Sequence, residues 1–289
     1  MKRKFIPMLA GLALLCVISS RALAQEFRER ISKEFPVSNA GSEVLTIYNI
    51  DGPIEVQGYA GDKVVVDIDK VISASDSKDL DIGKQEFKLG FDQRGDSIII
   101  YIAEPIDSRP HEWRDYWRHE DHDYEFHLSF TVKVPYAMNL HVSTVNNGDI
   151  NITDVSGQLG AYNVNGPITI KNAKGATKAH TINGDLKVNY LETPPASSEY
   201  YTLNGKLEVV YPSNMSAVCQ FKSMNGAFYT DFPDIEVLPP MVTRTQQKSG
   251  NGVKYRLISA KQVKIGNGGD GKLFKFETLN GDIYVRKQS

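Results

Sequence analysis

At 289 residues with 41% hydrophobic content, the chain can build one large β domain or two ordinary ones, and it is not a disordered sequence. Its 33 Lys and Arg nearly cancel its 35 Asp and Glu, and a net charge of -2 gives no general attraction for nucleic acid or an anionic membrane. With only two cysteines, Cys16 and Cys219, it is not a disulfide scaffold.

Residues 1–24 read as a cleaved signal peptide. Lys2, Arg3 and Lys4 precede an apolar run from Phe5 to Ile18, and Ala22-Leu23-Ala24 offers the small-x-small pattern of a cleavage site. The run falls short of the ~20 residues that span a bilayer. Leu15 stands where lipidation at Cys16 requires a small residue. The expected location is therefore the periplasm or cell surface. Cys219 would then be the one remaining cysteine, and its alternating context Ala217-Val218-Cys219-Gln220-Phe221 places it in a core.

Residues 25–140 form an expected N-terminal β portion. Phe27, Ile31 and Phe35 have a spacing of four that suits a short helix or an irregular cap. Glu43–Asn49 and Lys63–Val71 alternate as strands. Ser75–Lys84 is polar, with Asp76 or Ser77 available as N-cap, and reads as a short helix or loop. Glu86–Gln93, Arg94-Gly95-Asp96 and Ser97–Ala103 read as a β-hairpin, and Tyr124–Val134 and Asn139–Val145 as further strands. With no long amphipathic run between them, antiparallel pairing is expected.

Glu104–Asp123 stands apart. It holds both tryptophans and exceeds the usual hairpin loop, and long loops are where function concentrates. Trp113, Arg114, Trp117 and Arg118 put aromatics beside arginines, a composition enriched at binding surfaces; the same tryptophans would also serve as a lid over the sheet. His119, His122 and Asp123 are the strongest metal-ligand candidates by residue type. Their spacing is common and no cysteine supports it, so a solvated loop is the simpler reading and no metal or other cofactor is assigned.

Residues 141–289 carry a repeat: Asn146-Asn147-Gly148-Asp149-Ile150, Asn165-Gly166-Pro167-Ile168, Asn183-Gly184-Asp185-Leu186, Asn204-Gly205-Lys206-Leu207, Asn225-Gly226-Ala227-Phe228 and Asn280-Gly281-Asp282-Ile283. Asp51-Gly52-Pro53-Ile54 is an earlier copy. The glycines step by 18 residues twice, from 148 to 184, and then by 21 twice, to 226. Two and four positions after each glycine stand apolar pairs such as Ile150 and Ile152, which alternation aims at one face. Asn-Gly supplies the φ > 0 that a sharp turn needs. A second turn falls midway, at Ser156-Gly157 and Lys174-Gly175. Equivalent residues at a fixed period point to a stack of rungs more than to a meander. The expected fold is all-β: a β-solenoid, a parallel β-helix-like coil of 18–21-residue rungs, continuous with an N-terminal antiparallel β portion that serves as its cap or flanking sheet.

These phrases carry a resemblance. The signal peptide, Asp51-Gly52-Pro53-Ile54-Glu55-Val56-x-Gly58-Tyr59-x-Gly61-Asp62, the run Thr131-Val132-Lys133-Val134-Pro135-Tyr136-Ala137-Met138-Asn139-Leu140 and the serial Asn-Gly copies resemble the bacterial DUF4097 family of candidate adhesins, over nearly all of Glu43–Val285. The resemblance implies an exported β-repeat protein of the cell envelope and brings no catalytic residues. The doubled asparagine, read as a bulge, and the tryptophan-rich insert depart from its pattern.

Other features have plainer readings. Asp149, Asp185 and Asp282 follow repeat glycines, but Pro167, Lys206 and Ala227 interrupt the row, so turn chemistry accounts for them. Gly266–Gly271 reads as a flexible hairpin turn. His180 aligns with Tyr162 and Tyr201 and belongs to a stacked column. No nucleophile motif or phosphate loop is present. The expectation is a non-enzymatic binding scaffold that presents an extended β surface to an envelope protein or carbohydrate. The alternatives are a polysaccharide-active β-helix enzyme and a chain that polymerises end to end.

Overall fold

The computed structural model describes residues 25–110, 123–249, 252–268 and 271–288. The signal-peptide reading of 1–24, and Trp113, Arg114, Trp117, Arg118, His119 and His122, lie outside the described residues. Among the described residues the chain is almost all strand. The first part holds β1 (Gln25–Pro36), β2 (Val44–Tyr48), β3 (Ile54–Tyr59), β4 (Lys63–Ala74), α1 (Ser77–Glu86), β5 (Lys88–Arg94), β6 (Ser97–Glu104), β7 (Tyr124–Pro135) and β8 (Asn139–Ser143). The repeat then alternates β9 (Ile150–Thr153), β10 (Leu159–Tyr162), β11 (Ile168–Ala173), β12 (Thr177–Asn183), β13 (Leu186–Tyr190), β14 (Ser198–Asn204), β15 (Leu207–Tyr211), β16 (Ala217–Ser223) and β17 (Phe228–Thr230). Finally come β18 (Ile235–Ser249), β19 (Gly252–Ile265), β20 (Leu273–Asn280) and β21 (Ile283–Lys287).

Two sheets result, ordered β1-β4-β7-β3-β9-β11-β13-β15-β21-β17 and β18-β19-β16-β20-β14-β12-β10-β8-β2-β6-β5. Successive strands of the repeat enter the two sheets in turn, and from β9 to β15 each pairs in parallel with its equivalent one copy away. Thus Ile168 lies between Ile150 and Leu186, and Leu207 between Leu186 and Ile283. These apolar residues are fully buried, and each contributes about 1.5–3 kcal/mol by leaving water. One buried apolar cluster runs from Phe35 to Val285.

The repeated Asn-Gly phrase does not work as the turn argument expected. Among the repeat glycines only Gly52 has a positive φ, 113°. The others are glycine because the backbones stack closely. A Cβ on Gly148, Gly166, Gly184, Gly205, Gly281 or Gly226 would stand 1.9 to 2.3 Å from backbone atoms of the adjacent copy's glycine. The asparagines form a ladder instead of a set of left-handed residues. Asn165 donates to Asn146, Asn183 to Asn165, Asn204 to Asn183, Asn280 to Asn204 and Asn225 to Asn280, all at 2.7–2.8 Å. Stacked amides of this kind occur wherever identical rungs lie one strand spacing apart. The one left-handed asparagine of the doubled pair is Asn147, φ 52°.

Three residues before most of these glycines, a buried polar side chain completes the turn. Thr181 and Thr202 donate to the carbonyls of Gly166 and Gly184 at 2.8 Å, and the Asn163 amide to that of Gly148 at 2.8 Å. We expect Thr181→Val, which keeps the volume and deletes the donor, to lower stability by about 1–3 kcal/mol, because the Gly166 carbonyl is left dry and unpaired. Urea unfolding would measure it; an unchanged midpoint would mean that this carbonyl has another partner. The aspartates after the glycine act similarly at the surface, Asp185 accepting from the Lys206 N–H at 2.8 Å and Asp282 from that of Ala227 at 2.9 Å.

The N-terminal part departs from expectation in two ways. Its pairing is mixed: β1/β4, β4/β7 and β5/β6 are antiparallel, but β2 joins β6 and β8 in parallel and β3 joins β7 and β9 likewise. Residues 25–36 are a strand. The spacing of four across Phe27, Ile31 and Phe35 is also a multiple of the strand period, and it turns all three toward the core. Ser77–Glu86 does form the helix, capped by the Asp76 carboxylate accepting from the Asp79 N–H at 2.9 Å.

At the other end, the last copy does not extend the stack. β20 and β21 insert between the copies of β14/β15 and β16/β17. The glycine-rich turn before β20 is therefore no hairpin: it carries the chain from β19 across β16. Pro239 and Pro240 fall at the register shift inside the β18–β19 ribbon, between Leu238 and Met241.

Candidate functional site

The outward face of the second sheet carries a continuous column of rings. In parallel rungs, side chains at equivalent positions stack, and β10, β12 and β14 place Tyr162, His180 and Tyr201 in one row. Tyr162 and His180 have centroids 5.5 Å apart, His180 and Tyr201 5.7 Å. The row would break at Ser143, which pairs with both Tyr48 and Tyr162. His141, two residues earlier on β8, leans into this gap and sits 5.6 Å from Tyr48 and 4.9 Å from Tyr162. It has room because its own neighbour is Gly160. Tyr101 pairs with Tyr48, and the Arg109 guanidinium caps the column at 3.9 Å from the Tyr101 ring centroid.

The two histidines of the column are held toward their neutral form. Burial lowers the pKa values of His141 and His180, and Lys178 lowers both further, while Glu199 and Glu277 pull His180 the other way. Burial raises those of Tyr48 and Tyr162. The Nε2 atom of His180 is buried without a hydrogen-bond partner, the Glu199 carboxylate standing 3.5 Å off. Alongside runs a groove of about 690 Å³, whose lining includes His141, Gln158, Gly160, Lys178 and Glu199. His141 is the ring that joins column and groove, and Val44, Leu140 and Leu159 give the groove an apolar share beside its polar groups.

The insert leaves the body at one end of this column. Ser108 donates to the Tyr48 carbonyl at 2.8 Å and accepts from the Ile102 N–H at 2.8 Å, which ties the first part of the insert to the sheet. Asp123, the one metal candidate among the described residues, is exposed ahead of β7. His127 turns to Asp51, with Nδ1 2.6 Å from Oδ1. Among the described residues no group of three or more His, Cys, Asp or Glu is placed to hold a metal ion. Cys219 is fully buried, and burial raises its thiol pKa far above the usual range, so it is an inert core residue.

Sequence alignment of the copies finds Tyr162, His180 and Tyr201. It misses Tyr48 and His141, which join through the offset at Ser143, and Tyr101 and Arg109, which lie outside the repeat.

No protein-family profile matches the chain, and no curated protein sequence matches it. Among solved structures, a candidate cell adhesion protein from Clostridium sporogenes ATCC 15579 is 8% identical with a TM-score of 0.43, covering 92% of this chain and 100% of the other. A candidate adhesin from Bacteroides fragilis NCTC 9343 is 9% identical with a TM-score of 0.38, covering 90% and 97%. A candidate lipid-binding protein from Parabacteroides distasonis ATCC 8503 is 10% identical with a TM-score of 0.25, covering 90% and 97%. Scores of this size mark partial superposition and carry no function across.

Proposed function

We propose that the chain is an exported protein of the bacterial cell envelope, akin to the DUF4097 candidate adhesins, and that it works as a binding scaffold. In this reading the two sheets are opposite walls of a β-solenoid of 18–21-residue rungs, whose outer surface is the working part. The partner is an envelope carbohydrate, or a protein carrying one. The supporting observation is the ring column from Tyr48 to Tyr201 with the groove that His141 shares beside it. Ring faces suit the C–H faces of sugars, and Gln158, Lys178 and Glu199 offer the donors and acceptors that hydroxyls require. Trp113, Arg114, Trp117 and Arg118 are proposed as further contacts on their composition.

Retention of the protein on envelope polysaccharide from the producing organism provides the measurement. The double change Tyr162→Ala with His180→Ala is expected to weaken retention about tenfold or more, equivalent to about 1.4 kcal/mol or more, with the circular dichroism unchanged. Trp113→Ala with Trp117→Ala forms a separate arm. Unaltered retention in the first pair would remove the column from the reading; unaltered retention in the second would remove the insert.

A further inference from the structure

The outer face of the first sheet brings together three residues that no local motif announces. His127 and Ser129 are two apart on β7 and point outward, because Leu128 and Phe130 between and beyond them are buried. Asp51 arrives from the turn before β3, and its Oδ1 lies 2.6 Å from His127 Nδ1. The other ring nitrogen, Nε2, lies 3.4 Å from the Ser129 hydroxyl. Asp51 is itself oriented, its Oδ2 accepting from the Asn147 amide at 2.6 Å. Here the asparagine ladder changes character. The doubled asparagine divides the rung's two roles, Asn146 accepting from Asn165 of the following copy and Asn147 donating to the preceding copy, where Asp51 replaces asparagine.

The turn is rigid from behind. Buried Asn49 donates to the carbonyls of Asp51, Gly52 and Leu128 at 3.0–3.2 Å, and the Leu128 N–H donates to the Asp51 carbonyl at 2.9 Å. A Cβ on Gly52 would stand 2.2 Å from the Leu128 carbonyl oxygen and 3.1 Å from the His127 ring. Glycine at this position is what lets β7 come near enough for the three side chains to meet.

We propose that Ser129, His127 and Asp51 form an acyl-transfer site acting on activated esters, a function beyond the scaffold reading and independent of it. A carboxylate on Nδ1 selects the Nδ1–H tautomer and leaves the Nε2 lone pair to take the serine proton. Ser129 Oγ attacks the ester carbonyl carbon as its proton passes to His127 Nε2. The carbon–oxygen bond to the leaving group breaks, and the imidazolium returns the proton to the departing oxygen. Water then attacks the acyl-serine, giving a proton to His127, and the serine oxygen leaves and recovers it. One ester and one water become an acid and an alcohol. Ser129 and His127 are the catalytic residues; Asp51 is a positioning residue. Because Ser129 is half-exposed on an open sheet face, water solvates the developing oxyanion. A fixed donor there is worth 10²–10³ in rate, so the substrate class is oxygen esters with good leaving groups, aryl esters above all.

The full chain should be treated with a fluorophosphonate probe, and separately assayed for release of p-nitrophenol from p-nitrophenyl acetate. The expected adduct lies on the peptide that carries Ser129. Ser129→Ala and His127→Gln are each expected to lower ester turnover about 100-fold. Asp51→Asn is expected to lower kcat while KM holds, which a merely structural contact would not do. An adduct elsewhere, or turnover unchanged in Ser129→Ala, overturns the proposal. If His127→Gln fails to fold by circular dichroism, the Ser129→Ala comparison, which changes only an outward side chain, decides alone.

Discussion

Gly184→Ala is expected to lower the stability of the chain by about 4 kcal/mol or more, placing it among the exceptional single substitutions. The new Cβ would stand 2.3 Å from the Gly166 carbonyl oxygen, 2.5 Å from its carbon and 2.8 Å from the Pro167 nitrogen. All three are backbone atoms, so no rotamer change relieves the contact. Moving Gly184 away transmits the displacement, because Gly205 approaches Gly184 just as closely on the other side. Gly184 has no positive φ, and alanine's dihedral preferences are therefore not at issue. Gly95→Ala gives the contrast: φ is +54° there and a Cβ would meet nothing within 4 Å. Its cost is the conformational one alone, about 1–2 kcal/mol. Urea unfolding of both variants separates the two roles of glycine. If Gly184→Ala costs no more than Gly95→Ala, close stacking is not why the repeat keeps its glycine.

That contrast bears on what was legible in the chain. The partners of Ile168 and Leu207 could be written down from alignment on the glycine, because strand alternation leaves one register in which apolar pairs coincide. The glycine's reason could not, since a residue that turns and a residue that stacks look alike in one dimension. The order of the copies was hidden for a related reason. Leu207, Ile283 and Phe228 offer the same apolar knob to the core, so likeness shows which residues are equivalent and not which are adjacent. Position 283 therefore sits between 207 and 228 with no local signal of it.

The candidate sites divide in the same way. Tyr162, His180 and Tyr201 recur at the repeat period and were recognisable as a column. His141 enters through a neighbouring row only because Ser143 and Gly160 are small. Asp51, His127 and Ser129 were invisible, because 76 residues separate the first two and only the parallel pairing of β3 with β7 brings them together. The metal-ligand pattern at His119 and His122 is the opposite case. A local spacing singled out residues that lie outside the described structure, while His127, four residues past Asp123, spends its Nδ1 on Asp51.

The chain is expected to lose stability steeply above about pH 10, through a tyrosine cluster in the core. Tyr190, Tyr200 and Tyr211 are fully buried, with Tyr200 accepting or donating at 2.7 Å to Tyr190 and accepting from Tyr211 at 3.0 Å. Tyr190 and Tyr211 stack with centroids 5.1 Å apart, and Tyr211 continues the stack onto Phe274 at 5.3 Å. Burial pushes the Tyr190 phenol up to about 12 and those of Tyr200 and Tyr211 well above the usual 10. In the unfolded chain these phenols ionise near 10, while the folded chain holds them neutral. Above pH 10 the folded state therefore binds more protons, and its stability falls with pH. The contribution is fully present below about pH 10 and is lost as pH rises toward the folded values. Two pH units for Tyr190 alone correspond to about 3 kcal/mol. Urea midpoints measured from pH 9 to 12 should fall across this window. Tyr190→Phe should flatten the fall by removing one titrating group while leaving Tyr211 on Tyr200. Midpoints that hold steady to pH 12, or an equally steep fall in the variant, would show that the cluster does not govern alkaline unfolding.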